Sequence, residues 1–172
     1  MVNQYRIDVT LDFVNKQVTG FERMSFKNKI SRLQKGFLLS FNLPGVEGHT
    51  RLEVSTNGKS VNLVLTEATS FELEKQFYFE LPESTQAEDA VTLECVFNGK
   101  LPDPRRDIVF LIGDWHPKIQ GDKMTFDDYE VTATIPENQV LISTGLETET
   151  KPLTGHQTRY ELKAEKVRDF GL

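Results

Sequence analysis

Apolar residues recur at every second position along nearly the whole chain. Tyr5, Ile7, Val9, Leu11 and Phe13 alternate with mostly polar neighbours, and the same period returns at Phe37, Leu39, Phe41 and Leu43 and at Val61, Leu63 and Leu65. Further runs are Phe77-Phe79-Leu81, Val91-Leu93-Cys95-Phe97, Val131-Ala133-Ile135 and Tyr160-Leu162-Ala164. A period of two puts successive side chains on opposite faces of an extended chain, so each run predicts a strand with one dry face. Turn residues fall between the runs. Asn57-Gly58 tolerates the positive φ of a tight hairpin, and Asn98-Gly99, Gly113-Asp114, Pro44-Gly45, Pro82, Pro102, Pro104, Pro117 and Pro136 supply further punctuation. Two sheets face to face are needed to cover so many one-sided strands, which predicts an all-β, saddle-like antiparallel β-sandwich.

Composition agrees. The chain has 16 Thr, 14 Val and 12 Phe against five Ala, a stock suited to pleated, half-buried surfaces and poor in helix formers. A length of 172 residues, without internal repeat or linker, predicts one domain over residues 1–172. The formal charge of −6 removes the main driving force for binding a phosphate backbone, so no nucleic-acid partner is expected. The longest apolar run, Ile108-Val109-Phe110-Leu111-Ile112, is strand-sized and far short of the roughly 20 residues of a membrane-spanning helix. No basic-then-apolar leader opens the chain, the single Cys95 has no partner for an internal disulfide, and no Asn-x-Ser/Thr sequon occurs. These features lean toward the cytoplasm and leave the localisation itself unassigned.

The search for chemistry returns little. His49, His116 and His156 are far apart in sequence and belong to no metal-ligand spacing, so no metal site is expected. Asp127-Asp128 lacks the spaced oxygen ligands and central glycine of a calcium loop and reads as a solvated strand start. Cys95 shares the apolar register of Val91, Leu93 and Phe97 and reads as core. The charge run Arg105-Arg106-Asp107 reads as the wet start of a strand. Asp114 and His116, two apart, are the one carboxylate–imidazole pairing on offer, set against the plainer reading of a polar loop end before Pro117. Trp115, the only tryptophan, is either an exposed ring that stacks on a sugar or partner, or a wedge closing one end of the sandwich. No catalytic residue is predicted.

The order of several short patterns resembles the N-terminal domain of the aminopeptidase N family, the zinc gluzincins that include leukotriene hydrolase. The similarity runs through Tyr5-Arg6-Ile7-Asp8-Val9-Thr10-Leu11-Asp12 with Val18-Thr19-Gly20 and Asn28. It continues through Leu81-Pro82, Val91 to Phe97 and Asn98-Gly99-Lys100-Leu101-Pro102. Asp114-Trp115-His116-Pro117 resembles the family's Trp-aromatic-Pro segment, with His116 in place of the aromatic. Tyr129-Glu130-Val131-Thr132-Ala133-Thr134-Ile135-Pro136 with Ser143-Thr144-Gly145 resembles a Tyr-x-Val-Thr-x-Thr-x-Pro…Thr-Gly signature. Val167-Arg168-Asp169-Phe170 resembles the hinge at which that domain hands over to the catalytic one.

The resemblance covers residues 5 to 170 and implies a non-catalytic sandwich that packs on a thermolysin-like zinc domain, expected after residue 172, and helps to wall its peptide cleft. It implies an interdomain or cleft-facing position for Asp107, Asp114, Trp115, His116, Tyr129, Arg168, Asp169 and Phe170. Neither H-E-x-x-H nor Gly-x-Met-Glu-Asn occurs, so zinc and hydrolysis are expected only in the catalytic domain, with peptide substrate bound at the parent's cleft. The stretch Arg105 to Gly113 has no Gln or Glu, so the Gln-x-Gln/Glu amine-binding motif of many members is missing. The apolar ending Asp169-Phe170-Gly171-Leu172 is expected to be a cut from something longer, and a parent tethered to a membrane is compatible with it. Such a module should also expose an apolar docking face. Two alternatives are carried: a free-standing binding module in which Trp115 and Tyr129 face a glycan or protein, and a small hydrolase using Asp114 and His116.

Overall fold

The computed structural model describes residues 2–28, 34–43, 51–66, 76–120 and 126–172. Twelve strands form among them. In chain order they are β1 (Gln4–Asp12), β2 (Gln17–Lys27), β3 (Gln34–Ser40), β4 (Arg51–Thr56), β5 (Lys59–Val61), β6 (Leu63–Leu65), β7 (Gln76–Thr85), β8 (Ala90–Lys100), β9 (Lys118–Ile119), β10 (Asp127–Pro136), β11 (Leu146–Leu153) and β12 (Gln157–Val167). Eight build one sheet in the order β11-β12-β10-β1-β2-β8-β4-β5, and four build a second in the order β6-β7-β3-β9. The all-β sandwich expected from the alternation is the fold.

Both sheets turn their apolar register inward. Tyr5, Ile7, Val9 and Leu11 of β1, Val91, Leu93, Cys95 and Phe97 of β8, and Tyr129, Val131, Ala133 and Ile135 of β10 face Phe37 and Leu39 of β3 and Phe79 and Leu81 of β7. Each fully buried aromatic or aliphatic side chain contributes about 1.5–3 kcal/mol relative to exposure. Cys95 is core, as its register predicts.

Pairing within the large sheet is antiparallel except at its centre, where β1 and β10 run parallel from Gln4 opposite Asp128 to Thr10 opposite Thr134. A parallel neighbour needs a crossover, and here the chain makes it by building the second sheet between the two strands. Alternation alone carries no strand direction, so this pair was not foreseeable.

Several local readings are corrected. Asn98-Gly99 lies inside β8, opposite Thr19 and Val18, rather than in a turn. The Val61-Leu63-Leu65 run is two strands, because the chain leaves the large sheet after β5 and enters the small one at β6, and Leu65 points to solvent. Pro82 sits within β7, where the register slips between Gln34–Thr85 and Gly36–Glu80; such an irregularity accommodates a residue that cannot donate to the ladder. Asn57-Gly58 forms the expected hairpin turn, with φ of 50° and 71°. Pro44-Gly45 and His49 lie outside the described residues.

Candidate functional site: a buried polar cluster beside an apolar rim

In β2 the even-numbered side chains point inward, so Glu22 takes a core position between Gly20 and Met24. It meets His116, which a long loop after β8 brings under the large sheet. His116 Nδ1 lies 3.0 Å from Glu22 Oε2 and 3.1 Å from the Pro117 carbonyl, and neither side chain has any exposed surface. The carbonyl can only accept, so the Nδ1–H tautomer fits, donating to both oxygens. The rings of Tyr5 and Tyr129, stacked at 5.0 Å, pack edge-on against the imidazole, and Trp115 closes the other side.

Burial dominates the electrostatics here. Desolvation pushes the Glu22 carboxyl well above its ordinary range, opposed in part by Lys118, and pushes His116 down to about 3 with Lys118 adding to the effect. His116 is therefore neutral at pH 7, and burial favours the protonated form of Glu22. Desolvation first, then Asp127, raises the Tyr5 and Tyr129 phenols as well. Among the described residues Glu22 Oε1, His116 Nε2 and the Tyr129 hydroxyl have no protein hydrogen-bond partner, each a cost of about 1–3 kcal/mol when kept from water.

The last residues are clamped beside this cluster. Trp115 Nε1 donates to the Phe170 carbonyl at 2.7 Å, and the Phe170 ring is fully buried against Tyr129. Leu111 and Leu172 exchange both backbone hydrogen bonds, at 2.8 and 3.0 Å. On the other side Thr144 N–H donates to the Gly171 carbonyl, and Gly171 N–H donates to Thr144 Oγ1. Lys118 Nζ sits 3.0 Å from Asp169 and 3.9 Å from Asp114.

The eight residues singled out in the sequence divide by depth. Trp115, His116, Tyr129 and Phe170 are core residues of this chain and form one contiguous cluster. Asp114 and Asp169 flank Lys118 at the edge of that cluster, and Arg168 is exposed. Asp107 is an exposed residue at positive φ in the Arg106-Asp107 turn that joins Arg105 to Ile108 by two backbone hydrogen bonds. Arg105-Arg106-Asp107 thus forms a tight turn and not the start of a strand. Trp115 and Tyr129 present no ring to a ligand, which removes the basis for a stacking site on them. His116 pairs with Glu22 and not with Asp114, and with no exposed surface it cannot reach a substrate. Asp127, read as a solvated strand start, is buried at the head of β10. Glu22 was missed; its signal was a lone carboxylate within the even-numbered register Val18, Gly20, Met24 and Phe26.

Around the clamped end lies an apolar rim. From Ile108 to Ile112 burial alternates, with Leu111 buried and Ile108, Phe110 and Ile112 exposed. Val140, Ile142 and Leu146 are 79–88 % exposed in the segment that carries Thr144. Gly171 joins the two segments: a β-carbon there would lie 3.3 Å from the Leu111 carbonyl and 3.7 Å from Thr144 Oγ1. Exposed apolar side chains on two segments that Gly171 joins mark an interaction face. Among the described residues no group of three or more His, Cys, Asp or Glu side chains is placed to hold a metal ion, and no helix is long and apolar enough to cross a membrane.

Fold and rim together define a β-sandwich with a buried Glu22–His116 pair and an exposed apolar rim beside the last residues of the chain. No protein-family model and no curated protein sequence matches the chain. Solved structures do. A two-domain M1 zinc metallopeptidase mutant bound to L-tryptophan superposes with a TM-score of 0.72 at 14% identity, over 99% of this chain and 41% of that one. The M1 zinc metallopeptidase from Deinococcus radiodurans gives a TM-score of 0.70 at 14% identity, and its mutant bound to a Tyr-Ser-Ala substrate gives 0.72 at 14%, with the same coverage. The chain therefore has the fold of the N-terminal part of two-domain M1 metallopeptidases and spans about 41% of their length.

Proposed function

We propose that this chain is the non-catalytic N-terminal module of a larger zinc aminopeptidase-like protein, packing on a thermolysin-like catalytic domain and helping to shape its peptide cleft. The observation that carries this reading is the match over 99% of this chain and 41% of the two-domain peptidases, joined to an exposed apolar rim beside the last residues. Phe110, Ile112 and Ile142 are the side chains that a covalently following domain would cover, and removing such surface from water yields about 25 cal/mol per Å2. The clamp on Gly171 and Leu172 fixes the direction in which the chain leaves the sandwich, so the neighbour would dock in one orientation. Zinc and the groups that activate water would belong to that neighbour. The test is the natural polypeptide beyond Leu172: a thermolysin-like zinc domain is expected there, and its absence overturns the reading.

A further inference from the structure

The two hydrogen bonds exchanged by Leu111 and Leu172 define a register that extends past this pair. In an antiparallel ladder such narrow pairs recur every two residues, so the next falls between Val109 and the second residue beyond Leu172. Among the described residues neither the N–H nor the C=O of Val109 has a hydrogen-bond partner. The alternating burial of residues 108–112 is the pattern of an extended segment, in which backbone groups two apart share a direction, so both are expected on the side of those of Leu111. Segment 108–112 has no proline, charge or bulge to blunt that edge, and its outward side chains Ile108, Phe110 and Ile112 are apolar. Natural edges are normally protected by one of those devices, and an edge left bare is a template for another strand.

From this juxtaposition we propose that segment Ile108–Leu111 is the docking edge for one particular strand, the polypeptide directly following Leu172. It adds antiparallel, pairs its second residue with Val109 and lays its first residue beside Phe110. The inference rests on the reading that a further domain follows, and it adds the manner of attachment: the junction is a ladder strand shared between the two parts, in place of a loose hinge. Leu111 and Leu172 already form the first rung, and Thr144 holds Gly171 from the other flank, so the start of the added strand is ordered before it pairs.

The experiment is backbone-amide hydrogen exchange on the 172-residue chain and on the longer natural polypeptide, with Val109 as the reporter. In the shorter chain the Val109 amide should exchange at a rate close to that of exposed backbone. In the longer one it should be slowed by about tenfold or more, and a proline substituted at the third residue past Leu172, whose N–H faces away from Val109, should leave that protection in place. Equal Val109 exchange in both proteins overturns the proposal. If exchange is equal while Ile142 and its neighbours become protected, the shared strand is refuted and domain docking stands. If no polypeptide follows Leu172, docking and strand fall together.

Discussion

Glu22 and His116 meet at 3.0 Å with no surface of either exposed, joining the centre of the large sheet to the loop that carries Trp115. Two ionisable groups in that position are expensive to keep and more expensive to separate. Replacing His116 by Ala should cost about 3–5 kcal/mol, since it opens a cavity and strands a buried carboxyl. The double replacement Glu22→Leu with His116→Phe should cost far less than the two single changes summed. Urea denaturation of the three variants checks this.

The same pair sets a pH profile. His116, with a folded value of about 3 against an ordinary 6.5, stays neutral while the unfolded chain takes up a proton below pH 6.5, so its contribution is lost as pH falls from 6.5 toward 3. Glu22, raised well above its ordinary 4.5 by burial, keeps its proton while the unfolded chain releases one, so its contribution is lost as pH rises above 4.5. Above 4.5 the two slopes oppose each other up to 6.5. The pair should therefore change stability less across that window than His116 alone would, and Glu22→Gln should flatten the decline that Glu22 causes as pH rises. Chemical denaturation at half-unit pH steps measures both limbs.

Trp115 ties the chain end to the body of the sandwich through the Phe170 carbonyl. Trp115→Phe keeps a ring in the core and removes the donor, so a loss of about 1–3 kcal/mol is expected from the unpaired carbonyl and the smaller ring. Residues 169–172 should also become accessible to carboxypeptidase sooner than in the parent chain. An unchanged digestion rate would show that the backbone pairs at Leu111 and Thr144 suffice.

Gly20 faces the ring of Phe97, and a β-carbon at that position would lie 2.3 Å from its nearest atom. Phe97 cannot swing aside easily because the rings of Phe41 and Trp115 bracket it. Gly20→Ala should cost about 1–3 kcal/mol, and adding Phe97→Leu should recover part of that loss. Thermal unfolding of the single and double variants decides it.

How much of this was legible in the residues differs by scale. The inward registers of β1, β8 and β10 follow directly from alternation, and Cys95 was placed by the same rule. Strand β11 was not legible, since all eight of its residues are exposed and an edge strand with no dry face leaves no period to read. The split of Val61 from Leu65 was invisible because alternation is blind to a change of sheet. At the site, four of the eight residues singled out, Trp115, His116, Tyr129 and Phe170, do lie together, but burial turned them inward. Glu22 escaped because a carboxylate in a strand is normally solvated. The rim residues Val140, Ile142 and Leu146 escaped because scattered apolar residues in a Ser/Thr/Gly stretch signal a patch only once the fold gathers them.

The most direct measurement is to assay the purified 172-residue chain, supplied with zinc and then dialysed, for bound metal and for hydrolysis of amino-terminal peptide bonds. A module that supports a catalytic neighbour should retain no stoichiometric zinc and show no turnover above the uncatalysed rate. One zinc retained per chain, or hydrolysis that tracks the protein through purification, would contradict it.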